Sequence, residues 1–169
     1  LGDVYKRQGA VLENQCVAGS KVVKKVTPDE KVGVMCLEDG RPSIVEYYEL
    51  TEEMRDAKDA AGDPAYNFGV ILNYLFRISE LEKIREKNLP LHVVEKKIPY
   101  LDEQGEKVKP EAPNGYKFEQ LVLDMIHEME NCLPFEVERS KEFAPIKNAT
   151  GVDSVESARE LCKLNGIEL

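Results

Sequence analysis

The chain has 169 residues, of which 32 are acidic and 23 are Lys or Arg, so its formal net charge is −9. This length corresponds to one domain, and a hydrophobic fraction of 42% is too high for a disordered, solvating segment. An acidic surface repels phosphate backbones and anionic lipids, so we expect neither a nucleic acid nor a membrane as a partner.

The apolar runs are short and the cysteines stand singly. A run such as residues 69–72 falls far below the roughly 20 residues that a membrane-spanning helix needs. Residues 1–8 have no apolar signal-peptide region and resemble the translation of a sequencing adapter, so we predict that they are foreign and belong to no fold. A cytoplasmic chain with free thiols is the expectation. The thiols are Cys16, Cys36, Cys132 and Cys162.

The first half of the chain begins with a hairpin pattern. Apolar runs at 32–37 and 43–48 flank Asp39-Gly40, a dipeptide typical of two-residue hairpin turns. Thr51, followed by two acidic residues, predicts the N-cap of a helix that ends near Ala61.

The middle of the chain continues with an apolar stretch at Phe68–Phe76. The spacing of Ser79 and Glu82 then predicts a capping box that begins a helix reaching about Lys87. Residues 91–94 and 98–101 are typical of short strands.

The most regular pattern is a stripe of apolar side chains with helical spacing, which predicts one amphipathic helix packed on the core. It consists of Phe118, Leu121, Val122, Met125, Ile126 and Met129. Residues 134–138 alternate like a strand, and Ser154 begins a last helix that Gly166 closes. Strands and helices interleave, so the class is α/β or α+β.

Three charged residues are candidates for chemistry. Lys117 would lie in the first turn of the striped helix, where the backbone N–H groups and the helix dipole favour an anion. This predicts a phosphate site, with a plain surface lysine as the alternative. Lys147 follows a rigid apolar segment in a loop. Glu46 either faces inward and binds a ligand such as a sugar hydroxyl, or lies on the wet face of an edge strand.

Neither histidine has a recognisable partner in the sequence. We therefore interpret His92 and His127 as structural residues.

Several segments, in order and at matching spacing between Gly9 and Ala149, resemble the eukaryotic-type UDP-sugar pyrophosphorylase family, most closely its N-acetylhexosamine members. The segments are residues 20–25, 32–34, 44–47, 92–100, 109–119 and 142–149.

The resemblance implies an α/β fold: part of a GT-A-like, Rossmann-type nucleotidyltransferase domain with a mixed sheet and flanking helices. Residues 9–149 would be the C-terminal part of the catalytic domain, and residues 150–169 a C-terminal helix. The implied reaction joins UTP to N-acetylglucosamine 1-phosphate and yields UDP-N-acetylglucosamine and pyrophosphate. The family uses Mg²⁺, and its metal-binding Asp is expected upstream of this chain, which itself supplies no metal ligand.

Roles transfer from the family by position. Gly33 would allow close approach of the sugar, and Glu46 would accept hydrogen bonds from sugar hydroxyls, with Tyr47 beside it. Lys117 and Lys147 would contact phosphate.

Two departures from the family pattern bear on the sugar. Val70 stands where the N-acetylhexosamine members carry an Asn that touches the sugar, and Leu121 and Leu123 stand where they carry aromatic residues. Glucose 1-phosphate or a broad range of sugar phosphates is therefore an alternative substrate. A non-catalytic sugar-phosphate-binding module is a second class of function. Because the UTP loop of the family lies upstream, we predict that the 169 residues alone do not catalyse.

Overall fold

The computed structural model describes residues 2–168, whose main body is a five-stranded mixed sheet. Its strands are β1 (Ala18–Lys24), β2 (Val34–Glu38), β3 (Arg41–Val45), β4 (Phe68–Phe76) and β9 (Cys132–Glu136). Two small two-stranded sheets are formed by β5 (His92–Lys96) with β8 (Gly115–Glu119) and by β6 (Tyr100–Leu101) with β7 (Lys107–Val108). The helices are α1 (Gly2–Glu13), α2 (Glu52–Asp56), α3 (Ile78–Ile84), α4 (Asp124–His127), α5 (Arg139–Glu142) and α6 (Val155–Leu164).

The strand order of the main sheet is β3-β2-β4-β1-β9. The pair β1–β9 is parallel, whereas β1–β4, β4–β2 and β2–β3 are antiparallel. A parallel pair needs a long crossover, and here the chain between β1 and β9 carries all the other strands. Helix α1 packs against β1 and α4 against β3. The predicted α/β class with a mixed sheet and flanking helices is confirmed.

The hairpin prediction is also confirmed. Strands β2 and β3 pair from Val34 opposite Val45 to Glu38 opposite Arg41. Asp39 and Gly40 both have positive φ, +50° and +79°, which is the conformation that a two-residue type I′ turn requires.

The core lies where the main sheet meets α4. Val22 and Val70 are opposite each other on β1 and β4, and both are buried. Ile126 of α4 is fully buried and Met129 almost so, and both belong to the same cluster of apolar side chains. Burial of this kind stabilises by roughly 1.5–3 kcal/mol per large aliphatic side chain.

The predicted single helix over the apolar stripe is wrong. Phe118 lies in β8 opposite Val93 and is 61% exposed, and a helix begins only at Asp124. Residues 115–119 find backbone partners on β5, so strand pairing outweighs a helical spacing that would have buried Phe118. Leu121, Met125, Ile126 and Met129 of the stripe pack on the core, whereas Phe118 and Val122 are exposed.

Two further helices are shorter than predicted and one agrees. Helix α2 keeps the predicted Thr51 cap, whose hydroxyl accepts from the Met54 N–H at 3.2 Å, but ends at Asp56. Helix α3 is N-capped by Arg77 without a side-chain hydrogen bond, so the predicted capping box is wrong. Helix α6 begins after Ser154 as predicted, with a capping box to Ser157.

The N-terminal segment was predicted to lie outside any fold. Residues 2–8 are instead part of α1, and Arg7 is buried and donates to the Asn73 side chain. Leu1 lies outside the described residues, and the foreign origin of residues 1–8 stays a prediction. The four cysteines are free thiols. No helix in residues 2–168 is both long and apolar enough to cross a membrane.

Candidate functional site

Three predicted site residues that are distant in sequence meet at one point beside the hairpin. A Cβ atom added to Gly33 would lie 3.4 Å from Glu46 Oε1, 3.4 Å from Val70 Cγ2 and 3.2 Å from Ile44 Cγ2. The contact with Ile44 is tighter than most Cβ contacts, and those with Glu46 and Val70 are at van der Waals distance, so a side chain at position 33 would press on Ile44 and fill the space beside the Glu46 carboxylate. We call Gly33, Glu46 and Val70 the Gly33 cluster.

The backbone of the main sheet fixes this cluster. Gly33 directly precedes β2, and its carbonyl oxygen accepts a hydrogen bond from the Val70 N–H of β4 at 2.9 Å. Glu46 directly follows β3, and its N–H donates to Glu49 Oε2 at 3.0 Å while its carbonyl accepts from the Glu49 N–H at 2.9 Å. The ends of three strands and one turn therefore position the cluster.

The sequence left open whether Glu46 faces inward or lies on the wet face of an edge strand. In the structure its side chain is half-buried. Burial raises the pKa of its carboxyl group, and the negative charge of Glu49 raises it further. His92 and Lys147 oppose this rise of the pKa, and Asp124 adds to it. An acceptor that is partly desolvated in this way gains from donors such as sugar hydroxyls.

Lys147 of the C-terminal loop is exposed and binds the segment that leads into Gly33. Its Nζ donates to the Lys31 carbonyl oxygen at 3.2 Å, two residues before Gly33, and its backbone N–H donates to the Asp153 carbonyl at 2.7 Å. An ammonium group has three N–H donors, so the bond to Lys31 leaves capacity for an anion.

Lys117 is not in the first turn of a helix, contrary to the prediction. It lies in β8 opposite Val94, it is exposed, and its ammonium group is ion-paired with Glu119. The helix-dipole argument for a phosphate site at Lys117 therefore does not apply. Lys117 shares one face of the two-stranded sheet with Glu119 and with His92, the residue opposite Glu119.

The interpretation of His92 as lacking a partner is also wrong. Its Nε2 lies 3.1 and 3.0 Å from the two carboxylate oxygens of Asp124, and both side chains are largely buried. Asp124 Oδ2 additionally accepts from the Leu121 N–H at 3.3 Å. Sequence reasoning missed this pair because 32 residues separate its members and no local pattern connects them.

An open cavity of about 400 Å³ borders this pair and the residues next to Glu46. Val45, Glu49, His92 and Asp124 are among its lining residues. The cavity thus lies between the end of β3 and the face of the two-stranded sheet that carries Lys117.

Tyr47 directly follows Glu46 in the chain. Its side chain is 37% exposed, and its ring meets that of Tyr48 edge to face at 5.3 Å between centroids. His127, in contrast to His92, is half-exposed, with Nδ1 3.7 Å from Glu38 Oε2.

The residues described do not fit a metal ion. Within residues 2–168, no three or more His, Cys, Asp or Glu side chains form a group that could hold one. We therefore derive no chemical step through Mg²⁺ from this chain.

Comparisons with known proteins assign the chain to a family. The family model described as UTP–glucose-1-phosphate uridylyltransferase matches residues 7–167. The chain is 44% identical to UDP-N-acetylhexosamine pyrophosphorylase-like protein 1 of Mus musculus over 138 residues, which are 80% of this chain and 27% of that protein. It is 33% identical to UDP-N-acetylglucosamine pyrophosphorylase of Saccharomyces cerevisiae, over 89% of this chain and 33% of the relative.

The fold agrees with the same group of proteins. A crystal structure of an Entamoeba histolytica protein, whose name also refers to UDP-N-acetylglucosamine pyrophosphorylase, matches with a TM-score of 0.78 and 34% identity. The match covers 92% of this chain and 39% of that one. The chain thus spans between about a quarter and two fifths of the length of these relatives. Because the family model matches nearly the whole chain, this chain belongs to the UTP–glucose-1-phosphate uridylyltransferase family.

Proposed function

We propose that this chain forms the sugar side of the active site of a UTP:sugar-1-phosphate uridylyltransferase. The observation that carries the proposal is the convergence of Gly33, Glu46 and Val70, with the Lys147 ammonium group bound two residues from Gly33. A half-buried carboxylate beside a cation suits a ligand that has both hydroxyl groups and a phosphate.

The chemistry follows from these groups. An oxygen of the sugar phosphate attacks the α-phosphorus of UTP; the new P–O bond forms as the bond to the β-phosphate bridging oxygen breaks, and pyrophosphate leaves. Glu46 accepts hydrogen bonds from sugar hydroxyls and thereby orients the sugar phosphate. Lys117 and Lys147 stabilise the negative charge that builds up on the phosphates, and no covalent bond to the protein is needed.

N-acetylglucosamine 1-phosphate is the main substrate we propose. The 44% identity to a UDP-N-acetylhexosamine pyrophosphorylase-like protein supports this choice. Glucose 1-phosphate is the second candidate, because Val70 places a buried apolar side chain at the cluster and offers no donor to an N-acetyl group. Tyr47, the partly exposed neighbour of Glu46, is the residue that we expect to contact the outer side of the sugar.

The remaining properties follow from the same proposal. We propose Mg²⁺ as the cofactor, held by residues outside this chain, and a cytoplasmic location, which four free thiols support. The partners are then UTP and the sugar phosphate alone, since the net charge of −9 disfavours nucleic acid and anionic lipid.

The test is pyrophosphorolysis by the full-length protein that contains this chain, with UDP-N-acetylglucosamine, UDP-glucose and UDP-galactose as substrates. We expect UDP-N-acetylglucosamine to have the largest kcat/KM. A larger value for UDP-glucose would transfer the assignment to glucose 1-phosphate, and equal values would show that Val70 sets no sugar preference.

A binding measurement separates the enzyme from a non-catalytic module. The module hypothesis predicts that the full-length protein binds sugar 1-phosphate but releases no pyrophosphate from UTP. The isolated 169-residue chain is the companion sample, and turnover by that chain alone would contradict our prediction that it is inactive.

A further inference from the structure

The two-stranded sheet formed by β5 and β8, which we call the outer sheet, has few polar connections to the rest of the molecule. Its cross-strand pairs Val93–Phe118 and Glu95–Tyr116 leave three large side chains, Val93, Phe118 and Tyr116, more than half exposed. The outer sheet hydrogen-bonds to no strand of the main sheet. Something other than a shared strand ladder must therefore fix where Lys117 lies.

The side chain of His92 provides that connection. Within residues 2–168, the side-chain hydrogen bonds that leave β5 and β8 for another element are those from His92 Nε2 to Asp124 of α4. His92 is 19% and Asp124 11% exposed, so water competes little for this bond.

The connection continues to the sugar side of the site. Helix α4 packs on β3, and β3 ends at the residue before Glu46. Lys117 lies on the same face of the outer sheet as His92, and Glu119 lies between them, opposite His92 and ion-paired with Lys117. One continuous set of contacts thus runs from Lys117 through His92, Asp124 and α4 to the end of β3.

We propose that His92 is a positioning residue for Lys117 and that its bond to Asp124 sets the distance between the phosphate-binding lysine and the Gly33 cluster. This inference rests on the proposed function. His92 does not touch the reacting atoms; it acts by holding the outer sheet against α4. A displacement of about 1 Å at a group that stabilises charge can cost up to a hundredfold in rate.

The test compares His92→Phe with two matched variants of the full-length protein in the uridylyltransfer assay. His92→Gln keeps an N–H donor at the reach of Nε2. Lys107→Ala changes an exposed residue of β7, which belongs neither to the outer sheet nor to the lining of the cavity. We expect His92→Phe to lower kcat about tenfold to a hundredfold with KM for the sugar phosphate nearly unchanged. We expect His92→Gln to recover most of kcat, and Lys107→Ala to leave it unchanged.

A double-mutant cycle separates this inference from the proposed function. If His92 acts through Lys117, the variant carrying both His92→Phe and Lys117→Ala is no slower than Lys117→Ala alone. Full additivity of the two losses would overturn the positioning role while leaving Lys117 in the site. No loss in Lys117→Ala would instead remove Lys117 from the proposed function.

A measurement without activity uses the full-length protein. Amide hydrogen exchange of β5 and β8 is expected to accelerate in His92→Phe and to stay near the wild-type rate in His92→Gln and Lys107→Ala. Unchanged exchange in His92→Phe would show that the outer sheet is held by other contacts and would overturn the inference.

Discussion

The Gly33 cluster and the outer sheet are held in place in different ways. Gly33 and Val70 are buried, they share a backbone hydrogen bond, and Gly33 lies close to the Glu46 carboxylate. Lys117 is exposed on a two-stranded sheet whose side chains bond to the rest of the described chain through His92 and Asp124. The sugar side is thus fixed by packing and the phosphate side by a few polar contacts. Substitutions in the two regions should therefore change different measured quantities.

The largest effect is expected at the lysines. Lys117→Ala or Lys147→Ala in the full-length protein should lower kcat by roughly a hundredfold to a thousandfold, because each removes a contact to developing phosphate charge worth about 2.7–4 kcal/mol. Steady-state kinetics of pyrophosphorolysis measures this. Lys107→Ala, an exposed strand lysine of β7, is the control and should be neutral. A loss below threefold at both positions would contradict the assignment.

A smaller effect, in KM and stability together, is expected at Gly33. Gly33→Ala places a methyl group against Ile44 and the Glu46 carboxylate, so it should raise KM for the sugar phosphate and lower the free energy of unfolding by about 1–3 kcal/mol. Gly9→Ala is the control, because a Cβ there has nothing within 4 Å. If Gly33→Ala changed neither KM nor the free energy of unfolding, the close packing around Gly33 would be shown to matter neither for sugar-phosphate binding nor for stability.

The sugar preference should respond to Val70. Val70→Asn introduces the residue type that the family resemblance implies for the N-acetylhexosamine members and adds one amide at the cluster. A single net hydrogen bond contributes about 1 kcal/mol, so the ratio of kcat/KM for UDP-N-acetylglucosamine over UDP-glucose should rise about fivefold. The ratio is measured within one variant and is independent of how much of it is folded. A ratio that stayed constant would place position 70 outside the sugar contacts.

The smallest effect is a change in the pH dependence of stability. Burial and the nearby Glu49 raise the pKa of Glu46 above its ordinary value of 4.5, so the folded state binds this proton more tightly than the unfolded state. The contribution of Glu46 to stability is then fully present below pH 4.5 and is lost as pH rises through the folded-state pKa. Glu46→Gln should increase the free energy of unfolding at pH 7, measured by urea denaturation of the 169-residue chain.

Glu138 supplies a control of opposite sign. Its pKa is lowered by the hydrogen bond from Lys141, with a smaller contribution from Ser140. Its contribution to stability is therefore present above pH 4.5 and lost as pH falls. Glu138→Gln should leave the stability at pH 7 equal or slightly lower, since the side chain is exposed. If both substitutions increased the free energy of unfolding at pH 7, the proposed effect of burial on the pKa of Glu46 would be contradicted.

Local sequence signals predicted those parts of the fold that depend on neighbouring residues. The turn at Asp39-Gly40 and the Ser154 cap of α6 agree with the structure because positive φ and a side-chain cap are properties of a few consecutive residues. The helix predicted from the apolar stripe was wrong because the spacing of apolar residues says nothing about distant partners. Residues 115–119 pair with β5, and that pairing is not visible in the local sequence.

The sequence by itself determined the α/β class, the hairpin that carries Gly33 and Glu46 at its two ends, and the family. Only the tertiary structure decided that Val70 lies against the same point as Glu46, that Lys117 is on a strand, and that His92 binds Asp124. The physical reason is distance along the chain. A turn or cap is stabilised by adjacent residues, whereas these contacts join positions 23 to 32 residues apart and exist only once the strands have paired and the core has closed.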